Sequence, residues 1–312
     1  MEARIKILAT GLSGFIGSHI APLLNERYEV HALTRGAAKK EGDGRVVWHE
    51  GDFLDDAFRE SILREVKPGK LLHLAWDVTR GYQTSEENYE WLYASFEFFR
   101  RFAEQGGRRA VFAGTCFEYD WNNELCVEDV TPIKPQNTYG VCKNALRELV
   151  DNYAKDKDIS WAWGRIFYPF GAGEQAGRFF PSLIRSALLG ERVVVNTGQQ
   201  SRDFIYAPDV ASAFATLLES DADGVFNIGS GAPCKRADAA REICDITGSR
   251  KNLEIKALLS DEPDSFYASV QKLKELGWQA RYSMREALDE IVSLSRLQFS
   301  QNAPRPPACL SL

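Results

Sequence analysis

Gly11-Leu12-Ser13-Gly14-Phe15-Ile16-Gly17 sets three glycines at intervals of three, directly after the apolar run Ile5-Lys6-Ile7-Leu8-Ala9. That run reads as a strand, and Ser18 to Glu26 as a helix. The first glycine permits a tight turn, the second lets main chain approach a pyrophosphate, and the third lets helix and strand pack closely. The helix N-terminus then turns unpaired N–H groups and a positive dipole end toward the phosphates. Three spaced glycines alone are weak evidence. Flanked by a strand and a helix, they read as the opening of a dinucleotide-binding unit.

Outward from this turn the chain alternates short apolar runs with helical patterns, which predicts a doubly wound parallel sheet of the Rossmann kind. Strands are expected at Tyr28–Leu33, Val46–Glu50, Lys70–Ala75, Arg109–Gly114 and Ser160–Phe167, with helices at Asn88–Gln105 and Tyr139–Ala154. After Gly171 the strands shorten (Arg192–Asn196, Gly224–Ile228) and loops carry more Gly and Pro, which suggests a smaller mixed lobe at the sheet's carboxyl edge. The expected division is 1–165 for the dinucleotide domain, 166–300 for a substrate lobe that exchanges segments with it, and 301–312 as a flexible tail. Cys309-Leu310-Ser311-Leu312 fits a prenylation box on paper, but no polybasic stretch accompanies it.

A net charge of −6 gives no reason to expect nucleic acid or an anionic membrane as partner. No apolar run approaches the ~20 residues of a membrane span, and the start lacks the pattern of a signal peptide. The six cysteines form no C-x-x-C pair and no zinc spacing. They read as reduced thiols of a cytoplasmic protein without a metal.

Strand two ends Ala32-Leu33-Thr34-Arg35, where an NAD-selective chain would place a carboxylate for the ribose 2′-hydroxyl. The Arg35 guanidinium suits the 2′-phosphate of NADP(H). It is also compatible with stacking on adenine or with solvent, so NAD(H) stays open. Tyr139 and Lys143 are four apart, one helical turn, and share a face. A phenol of ordinary pKa is a poor acid–base catalyst at neutral pH, and a nearby ammonium lowers that pKa toward the working range. Thr115, at a strand end, supplies a second hydroxyl for a carbonyl oxygen.

Together these residues resemble the extended short-chain dehydrogenase/reductase family, in its nucleotide-sugar epimerase/dehydratase/reductase branch. Gly51-Asp52-Phe53-Leu54-Asp55, His73-Leu74-Ala75, Arg165-Ile166-Phe167, Gly198 to Phe204, Phe226 to Gly231 and Leu276-Gly277-Trp278 extend the resemblance to about Arg281. It implies that Asp52 and Phe53 contact adenine, that Leu74, Ala75 and Trp76 line the cofactor, and that Ile166 and Phe167 touch the nicotinamide. Tyr139 would be the acid–base, Lys143 its modulator and a ribose ligand, and Thr115 the hydroxyl partner. Arg202 would grip the substrate pyrophosphate. Asp77 and Arg178 are candidates near the sugar, with surface ion pairs as the alternative. Tyr168 stands where the family has a substrate-binding Asn, implying an altered pocket.

Members that dehydrate a sugar carry Asp-Glu after the Thr, where this chain has Cys116-Phe117. Glu118 lies one place too late. Epimerase-reductases of the fucose type place a Cys at the position of Phe117, and Cys116 reads as a packed thiol instead. The remaining expectations are an NADPH-dependent 4-ketoreductase of a nucleotide-linked 4-keto-6-deoxyhexose, or an NAD-dependent C4 epimerase using the same three residues. A non-catalytic dinucleotide sensor is the third class, but such chains usually lose the Tyr or the Lys. The aromatic density of Asn88–Gln105 exceeds one core-facing stripe, and with Tyr139–Ala154 it suggests a homodimer.

Overall fold

Strands rich in Ile, Val, Leu and Ala, interleaved with helices, assemble into a seven-stranded parallel sheet. The computed structural model describes residues 4–25, 27–36, 45–196, 198–257 and 263–302. In chain order come β1 (Lys6–Thr10), α1 (Phe15–Leu24), β2 (Glu29–Thr34), β3 (Val46–Glu50), α2 (Asp56–Val66), β4 (Lys70–His73), α3 (Glu87–Glu104) and β5 (Arg109–Thr115). Then follow β6 (Leu125–Cys126), α4 (Thr138–Lys157), β7 (Ser160–Ile166), β8 (Tyr168–Phe170), α5 (Phe179–Leu188), β9 (Val193–Val195), β10 (Ser201–Arg202) and β11 (Phe204–Tyr206). The last elements are α6 (Ala207–Glu219), β12 (Gly224–Ile228), β13 (Cys234–Lys235), α7 (Arg236–Thr247), β14 (Leu253–Ile255), β15 (Ser265–Ala268), α8 (Gln271–Glu275) and α9 (Met284–Asn302).

The sheet order is β12-β7-β5-β4-β1-β2-β3. Ile20 and Leu24 of α1 share one apolar cluster with Val210, Phe214 and Leu217 of α6 on one face. On the other, Ile62 and Leu63 of α2, Phe98 and Phe102 of α3, and Leu146 and Val150 of α4 share a second. Such two-sided cover is why the strands read as continuous apolar runs. A third cluster joins Phe180 and Ile184 of α5 to Ile243 of α7 and Leu288 of α9. A mixed four-stranded sheet, β13-β10-β15-β6, lies outside the main one.

The helix α2 was not among the expected elements. It is short, with Asp55 capping it by accepting from Ala57 N at 2.9 Å and Lys67 closing it in the left-handed region at φ 50°. Of the expected tail, residues 301 and 302 are the end of α9, and 303–312, with Cys309, lie outside the described residues. The expected 166–300 part also returns one strand to the main sheet: β12 pairs in parallel with β7, Asn227 opposite Arg165. No helix of the described residues is long and apolar enough to cross a membrane.

The carboxyl ends of β1, β2, β4, β5 and β7 carry Thr10-Gly11, Thr34-Arg35, His73 to Ala75, Thr115 and Ile166. Ligands of open parallel sheets bind along this edge.

Candidate active site

At the end of β1, Gly11 takes φ +77°, a left-handed conformation that favours glycine. A Cβ there would stand 2.8 Å from Ala75 N, and one on Gly17 only 2.1 Å from Gly11 O. Strand, turn and helix therefore touch through main chain alone. Gly14 caps α1 without a side-chain hydrogen bond, and the first turn holds no acidic residue. The positive end of the helix is left for an anion. A dinucleotide pyrophosphate fits that cradle.

Around it, Phe15, Ile16, Leu74 and Ala75 are half-buried, Asp52 is exposed, and Arg35 is exposed at the end of β2. The Thr34 hydroxyl donates to Gly36 O at 3.0 Å. At two expected contact positions the side chain is not free to reach a ligand. Phe53 is buried, stacked on Trp91 at 5.5 Å and tilted on His73 at 5.1 Å. Phe167 is buried against Phe266 at 5.6 Å. Both side chains pack into the core, so main chain is what these positions can offer a ligand. Ile166 remains half-buried at the edge.

Thr115 ends β5, and the single 3-10 turn Cys116–Glu118 begins there. The Thr115 hydroxyl accepts from Phe117 N at 3.3 Å, and the Glu118 carboxylate reaches back to Thr115 N at 2.9 Å, a capping box. The same carboxylate accepts from Trp163 Nε1 at 2.9 Å and pairs with Arg165 Nε at 2.7 Å, all of it buried. Glu118 is thus tied into the frame beneath Thr115, and sequence spacing alone gave it no role. Opposite, Asn137 caps α4 by accepting from Gly140 N at 2.8 Å. A Cβ on Gly140 would lie 2.5 Å from Phe117 O, so this glycine lets the helix close on the Thr115 turn.

The closure brings the three catalytic candidates together. Tyr139 is buried, and the Thr115 side chain lies close enough to favour its phenolate form. Lys143 is buried; its Nζ donates to Ala113 O at 2.9 Å and lies 3.9 Å from the centre of the Trp76 ring. Burial pushes the Tyr139 phenol well above its usual pKa, with Tyr82 adding to the rise and the Thr115 side chain opposing it, so the lowering expected from Lys143 is not what the packed pocket gives. Burial also brings Lys143 down to about 7, against the pull of the Glu118 carboxylate. The pocket holds a neutral phenol beside an amine near its proton equilibrium. That is a proton donor with a reserve.

The substrate-side candidates divide. Tyr82 sets its ring on Tyr139 at 4.9 Å, and Arg178 lies over Tyr82 at 5.4 Å while donating to Val78 O at 3.2 Å. Arg178 is thereby one residue from the Tyr139 phenol. Asp77 accepts from Thr79 N at 2.8 Å and lines a cavity of about 360 Å³ with Arg80, Tyr82 and Trp91. Tyr168 packs on Phe117 at 6.4 Å. Arg202 differs from expectation: it is fully buried, with Nη1 on Ser201 O at 2.7 Å and Pro263 O at 2.9 Å. An open guanidinium fork does not stand there, because main-chain carbonyls hold it.

Glu174 was not foreseen from sequence. Burial raises its carboxyl to about 8, and its Oε2 is buried without a partner among the described residues. It sits in the loop before α5 whose Ala172 O is 3.0 Å from His19 Nε2 of α1. No spacing signal marked it, since burial alone makes it unusual. No cluster of three or more metal-ligating side chains occurs among the described residues.

The sequence profile of the NAD dependent epimerase/dehydratase family matches residues 7–229. The chain belongs to this family. It is an enzyme of the extended short-chain dehydrogenase/reductase type, dependent on a nicotinamide dinucleotide. It is 25% identical to the UDP-glucose 4-epimerase of Halalkalibacterium halodurans, over 91% of this chain and 93% of that protein. It is 26% identical to the dTDP-6-deoxy-L-talose 4-dehydrogenase (NAD(+)) of Aggregatibacter actinomycetemcomitans, over 85% of this chain and 98% of that one. Among solved structures, MoeE5 in complex with UDP-glucuronic acid and NAD is 27% identical and superposes with a TM-score of 0.80, over 94% of this chain and 99% of that one.

Proposed function

We propose that this enzyme is an NADPH-dependent 4-ketoreductase acting on a nucleotide-linked 4-keto-6-deoxyhexose. The observation that carries the reading is the isolation of Tyr139. Its neighbours Thr115 and Lys143 serve one proton, and among the described residues the turn after Thr115 adds no free acid or base. Cys116 is buried with its thiol pushed well above the usual range by that burial, Phe117 is aromatic, and Glu118 is committed to Arg165 and Trp163. Elimination needs a further acid–base pair; reduction needs one proton donor.

Bound at the glycine turn, the dinucleotide supplies the hydride for the sugar carbonyl carbon. The chain's own part is to orient and protonate. The Thr115 and Tyr139 hydroxyls converge on the carbonyl oxygen, and Tyr139 donates its proton as charge builds there. The Lys143 ammonium stabilises the phenolate that remains. Arg35, exposed with no carboxylate at that strand end, supports NADPH. The relatives support a nucleotide sugar, and the dTDP-linked dehydrogenase supports position 4 of a deoxysugar.

A second reading, an NAD-dependent C4 epimerase, draws on the epimerase relatives and requires no residue beyond the same three. Incubation with a panel of 4-keto-6-deoxy nucleotide sugars with NADPH or NADH, and with 4-hydroxy nucleotide sugars without added cofactor, separates the two. Oxidation of NADPH by one sugar supports the reductase; a tenfold or greater preference for NADH removes the Arg35 reading. Turnover without added cofactor, by protein that purifies with dinucleotide bound, establishes the epimerase.

Three further assignments accompany the proposal. Residues 1–165 serve as the cofactor half and 166–300 as the substrate half. Five described cysteines are free thiols, which supports a cytoplasmic enzyme. Tyr89 and Tyr93 of α3 and Val141 and Leu149 of α4 are exposed apolar surface, while Trp91, Phe98, Phe99 and Phe102 are buried. That outward face supports pairing with a second copy. A monomeric mass by light scattering would count against it.

A further inference from the structure

Lys143 has an uncommon surrounding for a buried cation. Its nitrogen, like the Trp76 ring beneath it, is almost without solvent, and no carboxylate bonds to it directly. The groups facing it are Glu118 from the 3-10 turn, His73 from β4 and Tyr139 from its own helix. Glu118 is spent on Arg165, Trp163 and Thr115 N. His73 is wedged between the Thr10 hydroxyl at 2.8 Å and the Ser95 hydroxyl at 2.9 Å, and burial, with Lys143 beside it, takes its pKa down to about 3. Tyr139 is a neutral phenol. What touches the ammonium is one main-chain carbonyl, Ala113 O, and one indole face, 3.9 Å away.

The indole cannot drift. Trp76 Nε1 donates to Asn88 Oδ1 at 2.8 Å, and the buried Asn88 spends its own N–H groups on Tyr82 O at 2.7 Å and Ser85 O at 2.8 Å. Trp91 packs against one side of the ring at 6.1 Å, and Tyr139 meets it edge-on at 6.2 Å. A cation this close to a fixed aromatic face, with water excluded, lies at the strong end of the cation–π range.

We propose that Trp76 is a positioning residue for this reaction: its ring face holds the Lys143 ammonium in place and in its charged form, and Asn88 locks that face to the loop carrying Tyr82. The proposal rests on Tyr139 and Lys143 being the catalytic pair. It gives the loop between β4 and α3 a route to the chemistry. Movement of that loop would loosen the indole, and a loosened indole would let Lys143 give up its proton.

The test is the titration of Lys143 in the full-length, cofactor-free protein, followed by side-chain ¹⁵N NMR with Lys143→Arg as the assignment control. Trp76→Leu removes the face; Trp76→Phe keeps a weaker one and loses the Asn88 bond. In Trp76→Leu the Lys143 midpoint is expected to fall by about one pH unit or more, and in Trp76→Phe by roughly half as much. Should Trp76→Leu fail to fold, as judged by circular dichroism, Trp76→Phe decides alone. A midpoint within about 0.2 units of the parent in the folded variants overturns the proposal. The measurement needs no substrate. A shifted titration in an enzyme that reduces none of the panel sugars would therefore strike the proposed reaction and leave the Trp76 assignment standing.

Discussion

The glycine turn and the Thr115–Tyr139–Lys143 pocket sit on the same sheet edge, yet they are made of different material. The turn is built from main chain: a left-handed Gly11, an uncapped α1, and approaches so close that no Cβ fits. The pocket is built from side chains held by other side chains, with Glu118 and Arg165 under Thr115 and Trp76 and Asn88 beside Lys143. A main-chain site needs space and is indifferent to pH. A side-chain site needs desolvation, and its proton affinities are properties of the packed protein.

The largest break in this contrast is Tyr139→Phe. Turnover should fall by roughly 10²- to 10⁴-fold, while dinucleotide affinity, measured by fluorescence titration, stays within a few-fold because the turn is untouched. Retained turnover would refute the assignment of the proton donor. Glu118→Ala comes next. It leaves the buried Arg165 without its charge partner, which should cost about 3–5 kcal/mol in urea unfolding. A loss under about 1 kcal/mol would show that water reaches this pair.

Gly17→Ala probes the other region and should cost about 1–3 kcal/mol with weakened dinucleotide binding, since the added methyl meets Gly11 O. Gly14→Ala, whose Cβ would be 3.2 Å from Gly11 O, should be milder in both respects. Equal effects would mean that the turn is looser than its geometry. The smallest effect is one of pH. Native His73 resists protonation down to about 3, whereas in the unfolded chain it takes a proton near 6.5. Between those values the unfolded state binds more protons, so stability is lost as pH falls. From pH 7 to 5 this amounts to about 2 kcal/mol. In His73→Asn the pH 7-to-5 drop in unfolding free energy should shrink by about that much, and an unchanged slope would place the acid sensitivity elsewhere.

Legibility followed the same divide. The strand at Gly224–Ile228 and the sheet class could be read because apolar runs and turn glycines report local geometry directly. The helix Asp56–Val66 was missed: its buried stripe is short, and the half-charged Asp-Ala-Phe-Arg-Glu start hides it. Arg202 looked like an open anion clamp in sequence, yet the adjacent Ser201 O and the distant Pro263 O hold its Nη1 in a buried position. Glu174 carries no sequence signal at all, and only the burial of its carboxyl in the loop before α5 sets it apart.

By itself, then, the sequence determined a parallel dinucleotide fold with a Tyr–Lys pair on one helical face, because glycine spacing and helical periodicity act over a few residues. Tertiary structure decided which carboxylate is locked away, which arginine is enclosed, and what holds the lysine. Those outcomes depend on burial and on partners a dozen or more residues away: Glu118 with Arg165, Asn88 with Trp76, Trp76 with Lys143. No local pattern encodes how far a charge will be removed from water.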